Sequence, residues 1–108
     1  MYKLITYTDK LGADVFLRWL DGLKDVRAKA RISARLIRLE NGNFGDCRAV
    51  GEGVWELKID TGPGYRVYYA IEHNRVVLLC DGGTKNTQKA DIGRAIDRWM
   101  EWKARAKS

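Results

Sequence analysis

An α+β fold is what this sequence predicts: a helical hairpin packed on a mainly antiparallel sheet, with a C-terminal helix over the sheet. Three observations carry that prediction. Apolar residues recur at helical spacing between Leu11 and Ile37, they alternate with charged residues from Val54 onward, and helical spacing returns after Gln88. Helices kept apart in sequence from a run of strands make an α+β domain, with the expected order β-α-α-β-β-β-α.

Residues 2–8 (YKLITYT) are rich in β-branched and aromatic types and predict a first strand. Leu11, Val15, Phe16, Trp19, Leu20 and Leu23 then form one apolar stripe of period 3.6. Asp25 caps a second helix, whose inward side is expected to hold Val26, Ala30, Ser33, Leu36 and Ile37. Asn41-Gly42 supplies its left-handed stop, and Asn43 to Asp46 continue as a loop, with Cys47 beyond it read as loop as well.

From Val54 the period is two, with Trp55, Leu57 and Ile59 on one face and Glu56, Lys58 and Asp60 on the other. Gly62-Pro63-Gly64 predicts a turn, and a three-residue loop there sets Ile59 opposite Val67, Leu57 opposite Tyr69 and Asp60 opposite Arg66. His73-Asn74 predicts a two-residue hairpin loop that pairs Ile71 with Val76 and Tyr69 with Leu78. Val77, Leu79 and Asp81 would then share the face of Glu56. The stripe Ile92, Ala95, Ile96, Trp99 and Met100 predicts the helix that covers this face.

A chain of 108 residues is read as a single domain spanning 1–108, long enough to bury a core without a disulfide or metal staple. The longest apolar run, Val76–Cys80, is far short of the ~20 residues a membrane helix needs, and the first residues lack the apolar stretch of a secretory signal. A cytoplasmic protein without a membrane partner is expected. Cys47 and Cys80 form no CxxC pair and His73 is the only histidine, so reduced thiols, no metal site and no cofactor are expected.

The chain carries 20 Lys+Arg against 14 Asp+Glu, a formal net charge of +6. Residues 15–48 hold eight basic and four acidic groups and residues 84–108 hold seven and three, whereas residues 49–83 hold three and five. The excess lies on the helical segments. Solvated helix faces explain any one cluster; two of them flanking a balanced middle point to a polyanionic partner such as nucleic acid.

On the charged sheet face, Glu56, Lys58 and Asp60 stand beside Arg66. These residues read either as cross-strand ion pairs, each contributing about 0.2–1 kcal/mol, or as a phosphate site. In the second reading Arg66 and Lys58 hold a phosphate while Glu56 accepts a proton from an attacking hydroxyl. An RNA 2′-hydroxyl is an internal nucleophile, so such a site needs only positioning and charge stabilisation. The turn Asp81 to Gln88 could add backbone donors and Lys85 at the sheet edge. His73 reads as an exposed turn residue. Trp19, Trp55 and Trp99 read as core anchors and Trp102 as partly exposed.

Five segments in order, Phe16-Leu17-Arg18-Trp19-Leu20, Gly42-Asn43-Phe44-Gly45-Asp46, Gly53-Val54-Trp55-Glu56-Leu57, Gly62-Pro63-Gly64-Tyr65-Arg66-Val67-Tyr68-Tyr69 and Gly82-Gly83-Thr84-Lys85-Asn86-Thr87-Gln88-Lys89-Ala90-Asp91-Ile92, resemble the RelE/ParE toxin superfamily. The nearest branch is its HigB-like addiction-module killer proteins, and the resemblance runs from about Thr6 to Ala95. It implies a bacterial type II toxin inactivated by a cognate antitoxin with a helix-turn-helix DNA-binding domain. It further implies ribosome-dependent cleavage of mRNA, with Lys58, Arg66 and Lys85 as the functional basic groups. Two departures leave proton transfer to Glu56 or Asp91: Glu56 stands where a second basic residue is expected, and the tyrosine near the last helix has no counterpart. The alternatives on the same fold are a ParE-like gyrase poison and a non-catalytic nucleic-acid-binding regulator. The antitoxin is expected to cover the charged face or displace the last helix.

Overall fold

Two aspartates decide where the first helices begin. In the computed structural model, which describes residues 1–107, Asp14 and Asp25 each accept a hydrogen bond from the backbone N–H three residues on, at Leu17 and Ala28. Satisfying an orphan donor in this way stabilises a helix by about 1 kcal/mol. The helices are α1 (Val15–Asp21) and α2 (Val26–Glu40), and Gly42 leaves α2 at φ +85°. The strands are β1 (Lys3–Thr6), β2 (Cys47–Gly51), β3 (Val54–Ile59), β4 (Tyr65–Glu72) and β5 (Val76–Thr84). A short 3-10 turn, Lys85–Thr87, leads into α3 (Gln88–Ala106). No helix is long and apolar enough to cross a membrane among the described residues.

The five strands form one sheet in the order β1-β5-β4-β3-β2, with β1 parallel to β5 and the other pairs antiparallel. One face, bearing Leu57, Ile59, Val67, Tyr69, Val77 and Leu79, is covered by Phe16, Leu20, Ala28, Ile32, Leu36 and Leu39 of the helical hairpin. The other, bearing Val54, Tyr68, Ala70, Leu78 and Cys80, is covered by Ala95 and Trp99 of α3. Each such side chain, fully buried, contributes about 1.5–3 kcal/mol, so the sheet is held from both sides.

The expected α+β class holds, and several details are corrected. Cys47 opens a strand, Cys47–Gly51, and is not in a loop, and Leu11 is 94% exposed in the turn before α1. The inward side of α2 is Ala28, Ile32, Leu36 and Leu39, whereas Val26 and Ile37 are exposed. Arginines surround both apolar sets on this helix, so the stripe had two possible orientations. Trp55 is 37% exposed, lining an apolar groove with Phe44, Cys47, Tyr69 and Ile71 rather than anchoring the core. His73 is exposed at a hairpin tip, as expected.

Both hairpin registers shift. The β3–β4 loop is Asp60 to Gly64, closed by Gly64 N–H donating to the Thr61 carbonyl at 3.0 Å, and Ile59 therefore faces Tyr65. This slip of two keeps every side chain on its face, yet it places Lys58 opposite Arg66 and takes Asp60 out of the ladder. The β4–β5 register, Glu72 to Val76, is a slip of one, which puts Val77 and Leu79 under the helical hairpin and Leu78 and Cys80 under α3. Residues 76–80 are apolar throughout, so their pattern could not choose a face. A bulge then skips Cys80, pairing Tyr69 with Leu79 and Tyr68 with Asp81. One extra residue reverses the parity, so Asp81 returns to the α3 side where the sequence placed it.

Gly82 in β5 lies directly under Trp19, where an added Cβ would stand 2.2 Å from the indole. Gly82→Ala is therefore expected to cost about 1–3 kcal/mol by overpacking. Thermal melting checks this: a clear fall in Tm is expected, and an unchanged Tm would show that Trp19 moves aside freely.

Candidate functional site

Where β2, β3 and β4 meet the start of α3, a pocket of about 240 Å³ opens, lined by Asp46, Cys47 and Arg48, by Glu56 and Lys58, by Arg66 and by Gln88. The registers explain the gathering. Arg48 pairs with Glu56, Glu56 with Tyr68 and Lys58 with Arg66, all on the α3 side of the sheet. The last strand then turns so that the first residue of α3, Gln88, reaches over β3.

Glu56 is the hub. Only 2% exposed, it accepts hydrogen bonds from Arg48 Nε at 3.0 Å, Tyr68 Oη at 3.1 Å and Gln88 Nε2 at 2.8 Å, and Arg66 Nε lies 3.6 Å away. Burial by itself would push its carboxyl up, but the bonds from Arg48, Gln88 and Tyr68 outweigh it and hold the group below the ordinary carboxylate range. Burial, and then Glu56 beside it, pushes the Tyr68 phenol up, so that hydroxyl stays a donor. An acidic carboxylate whose lone pairs are already engaged is a weak proton acceptor. Glu56 orients the basic groups.

Arg66 is the group left with capacity. It is 7% exposed, its Nη1 donates to the Gly64 carbonyl at 3.3 Å, and its buried Nε has no hydrogen-bond partner within the protein. That Nε lies 3.6 Å from Glu56, an ion pair without a hydrogen bond, and the planar fork of a guanidinium lining a pocket suits a tetrahedral anion. Lys58 stands beside it with no carboxylate in ion-pair range among the described residues, and its backbone is fixed at both ends. Its N–H donates to the Asp46 carbonyl at 3.0 Å, and its carbonyl accepts from Arg35 Nη1 at 2.7 Å. Against the carboxylates of Glu56 and Asp46, the three cations Arg48, Lys58 and Arg66 leave the pocket with a formal surplus of one positive charge.

The remaining expected residues divide. Lys85 is exposed and not among the residues lining the pocket, its N–H donating at 3.0 Å to the same Gly64 carbonyl that Arg66 uses. Asp91 is not among the residues that line the pocket. It accepts from Thr87 Oγ1 at 2.6 Å, pairs with Arg94 and packs against Gly83, where any Cβ would collide with its carboxylate. Asp81, which pairs with Arg94 and Arg98, fastens α3 to β5. Burial pushes the Asp81 carboxyl up.

Two pocket residues escaped the sequence reading, Arg48 and Gln88. Arg48 follows Cys47, which the sequence reads as loop, in a stretch given no strand, although Gly51-Glu52-Gly53 between two valines is a hairpin signal; Glu52 and both glycines do take positive φ. Nothing in the sequence marks Gln88, since it arrives through the packing of α3.

A profile of a family described as phage-derived protein Gp49-like matches residues 18–99. An uncharacterized protein of Haemophilus influenzae is 51% identical over 80 residues, which cover 74% of this chain and 81% of that protein. The matched family is distinct from the RelE/ParE superfamily, so the membership that the five motifs suggested is corrected.

Proposed function

Because the chain belongs to the phage-derived, toxin-like Gp49-like family, we propose that it is the toxin of a toxin–antitoxin pair and arrests translation by cutting mRNA on the ribosome. The observation that carries this reading is the buried Arg66 guanidinium, which lines the same pocket as Lys58 and Arg48. These groups would hold the scissile phosphate. The 2′-hydroxyl attacks phosphorus, the P–O5′ bond breaks, and the products are a 2′,3′-cyclic phosphate and a 5′-hydroxyl. Negative charge growing on the phosphoryl oxygens is met by Arg66 and Arg48, preorganised by Glu56. Lys58, free of any carboxylate, donates to the departing 5′-oxygen, and the proton of the 2′-hydroxyl passes to solvent.

The partners are then an antitoxin, the ribosome and mRNA, with the basic residues of α2 and α3 docking on RNA in a salt-dependent way. Cell-free translation tests the reading. Added protein is expected to stop synthesis, and a Lys58→Ala, Arg66→Ala double variant to leave it running. Continued synthesis with the wild-type protein, or DNA breakage with synthesis intact, would contradict it, the latter in favour of a gyrase poison.

A further inference from the structure

Strand β2 is the outer strand of the sheet, and its far side is unpaired. Lys58 N–H bonds the Asp46 carbonyl, and Arg48 pairs with Glu56 two positions along, so the even-numbered residues turn their backbone groups towards β3. In an antiparallel ladder the intervening residues turn theirs outward. Cys47 and Ala49 therefore present N–H and C=O groups to solvent. The side chains beside this edge differ on its two sides. Towards α3 lies Arg48, 62% exposed, at the mouth of the electropositive pocket. Towards α2 runs an apolar groove of about 240 Å³, lined by Phe44, Cys47, Trp55, Tyr69 and Ile71.

We propose that β2 is a docking edge for an extended segment of a partner protein in which apolar and acidic residues alternate. Such a segment extends the sheet by one strand, and its backbone takes up the outward groups of Cys47 and Ala49. Strand periodicity then sends alternate side chains to opposite faces. Those beside Cys47 and Ala49 enter the groove over Trp55, and those between them reach Arg48. Charge selects carboxylates at the second set, because the exposed Arg48 stands there and Arg48, Lys58 and Arg66 outnumber Asp46 and Glu56 in the adjoining pocket. A second copy of this chain is a poor occupant: antiparallel self-pairing through Cys47 and Ala49 sets Arg48 opposite Arg48, and like charges directly opposed are unfavourable. A bound carboxylate would also close the mouth of the pocket. The inference goes beyond the proposed function, since none of it requires the pocket to act on RNA.

The test is a titration of the ¹⁵N-labelled protein with a nine-residue peptide alternating valine and glutamate, and with its valine–lysine counterpart. The glutamate peptide is expected to shift the Cys47 and Ala49 amides saturably and to bind at least tenfold more tightly than the lysine peptide. Arg48→Glu should reverse that order. Ala49→Pro, which removes an outward N–H without touching the β2–β3 ladder, should weaken binding at least tenfold at unchanged Tm. Equal binding of the two peptides, shifts confined to other elements, no binding of the glutamate peptide, or undiminished affinity in Ala49→Pro would each overturn the proposal.

Discussion

Arg66→Ala is expected to lower the potency of translation arrest by at least a hundredfold while the protein stays folded. The magnitude follows from what the guanidinium is placed to do. A preorganised donor aimed at developing negative charge in a water-poor site contributes about 10²–10³ in rate, and a bidentate Arg–phosphate contact adds positional control. Arg66 is buried, its Nη1 held by the Gly64 carbonyl and its Nε 3.6 Å from Glu56, in ion-pair range without a hydrogen bond. Arg66→Lys keeps the charge but loses the planar fork, so it should recover only a small part of the activity. The measurement is the concentration giving half-maximal inhibition of cell-free translation, with circular dichroism and Tm as folding controls. A folded Arg66→Ala protein of wild-type potency would place the activity elsewhere.

Glu56→Ala is expected to produce the largest loss of stability in the pocket, about 3 kcal/mol. Removing one partner of a buried ion pair typically costs about 3–5 kcal/mol, because the other charge stays buried and uncompensated. Here Arg66 and the Tyr68 hydroxyl would be stranded, while Arg48, mostly exposed, can return to water. For a chain of this size each kcal/mol shifts Tm by roughly 4–8 °C, so the change is plain in a melting curve. Its pH dependence has a definite sign. The folded carboxyl titrates below its unfolded value, so its contribution is complete above the unfolded pKa and is lost as pH falls through the folded pKa. The Tm gap between wild type and Glu56→Gln should therefore narrow on acidification. A gap independent of pH would mean that Glu56 acts through shape alone.

What the sequence made legible follows from where its patterns carry information. Asp25 and Asn41-Gly42 bounded α2 correctly, because caps are read from single residues with a defined backbone task. Glu56, Lys58 and Arg66 were found on one face because the strict alternation of residues 55–59 has a single reading, and it survived a register slip of two. The slip of one in β5 could not be foreseen: five consecutive apolar residues suit either face, and the bulge at Cys80 has no mark of its own. Arg48 and Gln88 belong to the pocket only through tertiary pairing, the first across an edge hairpin and the second through the seat of α3. Asp91 illustrates the converse. Its place in a motif suggested chemistry, while in the fold its carboxylate packs against Gly83 and accepts from Thr87, outside the lining of the pocket.

Mapping mRNA 5′ ends in a cell-free translation reaction tests the central claim most directly, because it reads the bond that the pocket is proposed to break. Discrete new 5′-hydroxyl ends within coding sequence are expected with the wild-type protein and none with the Lys58→Ala, Arg66→Ala variant. Translation arrested on full-length mRNA, or identical ends produced by the double variant, would contradict the assignment of cleavage to this pocket.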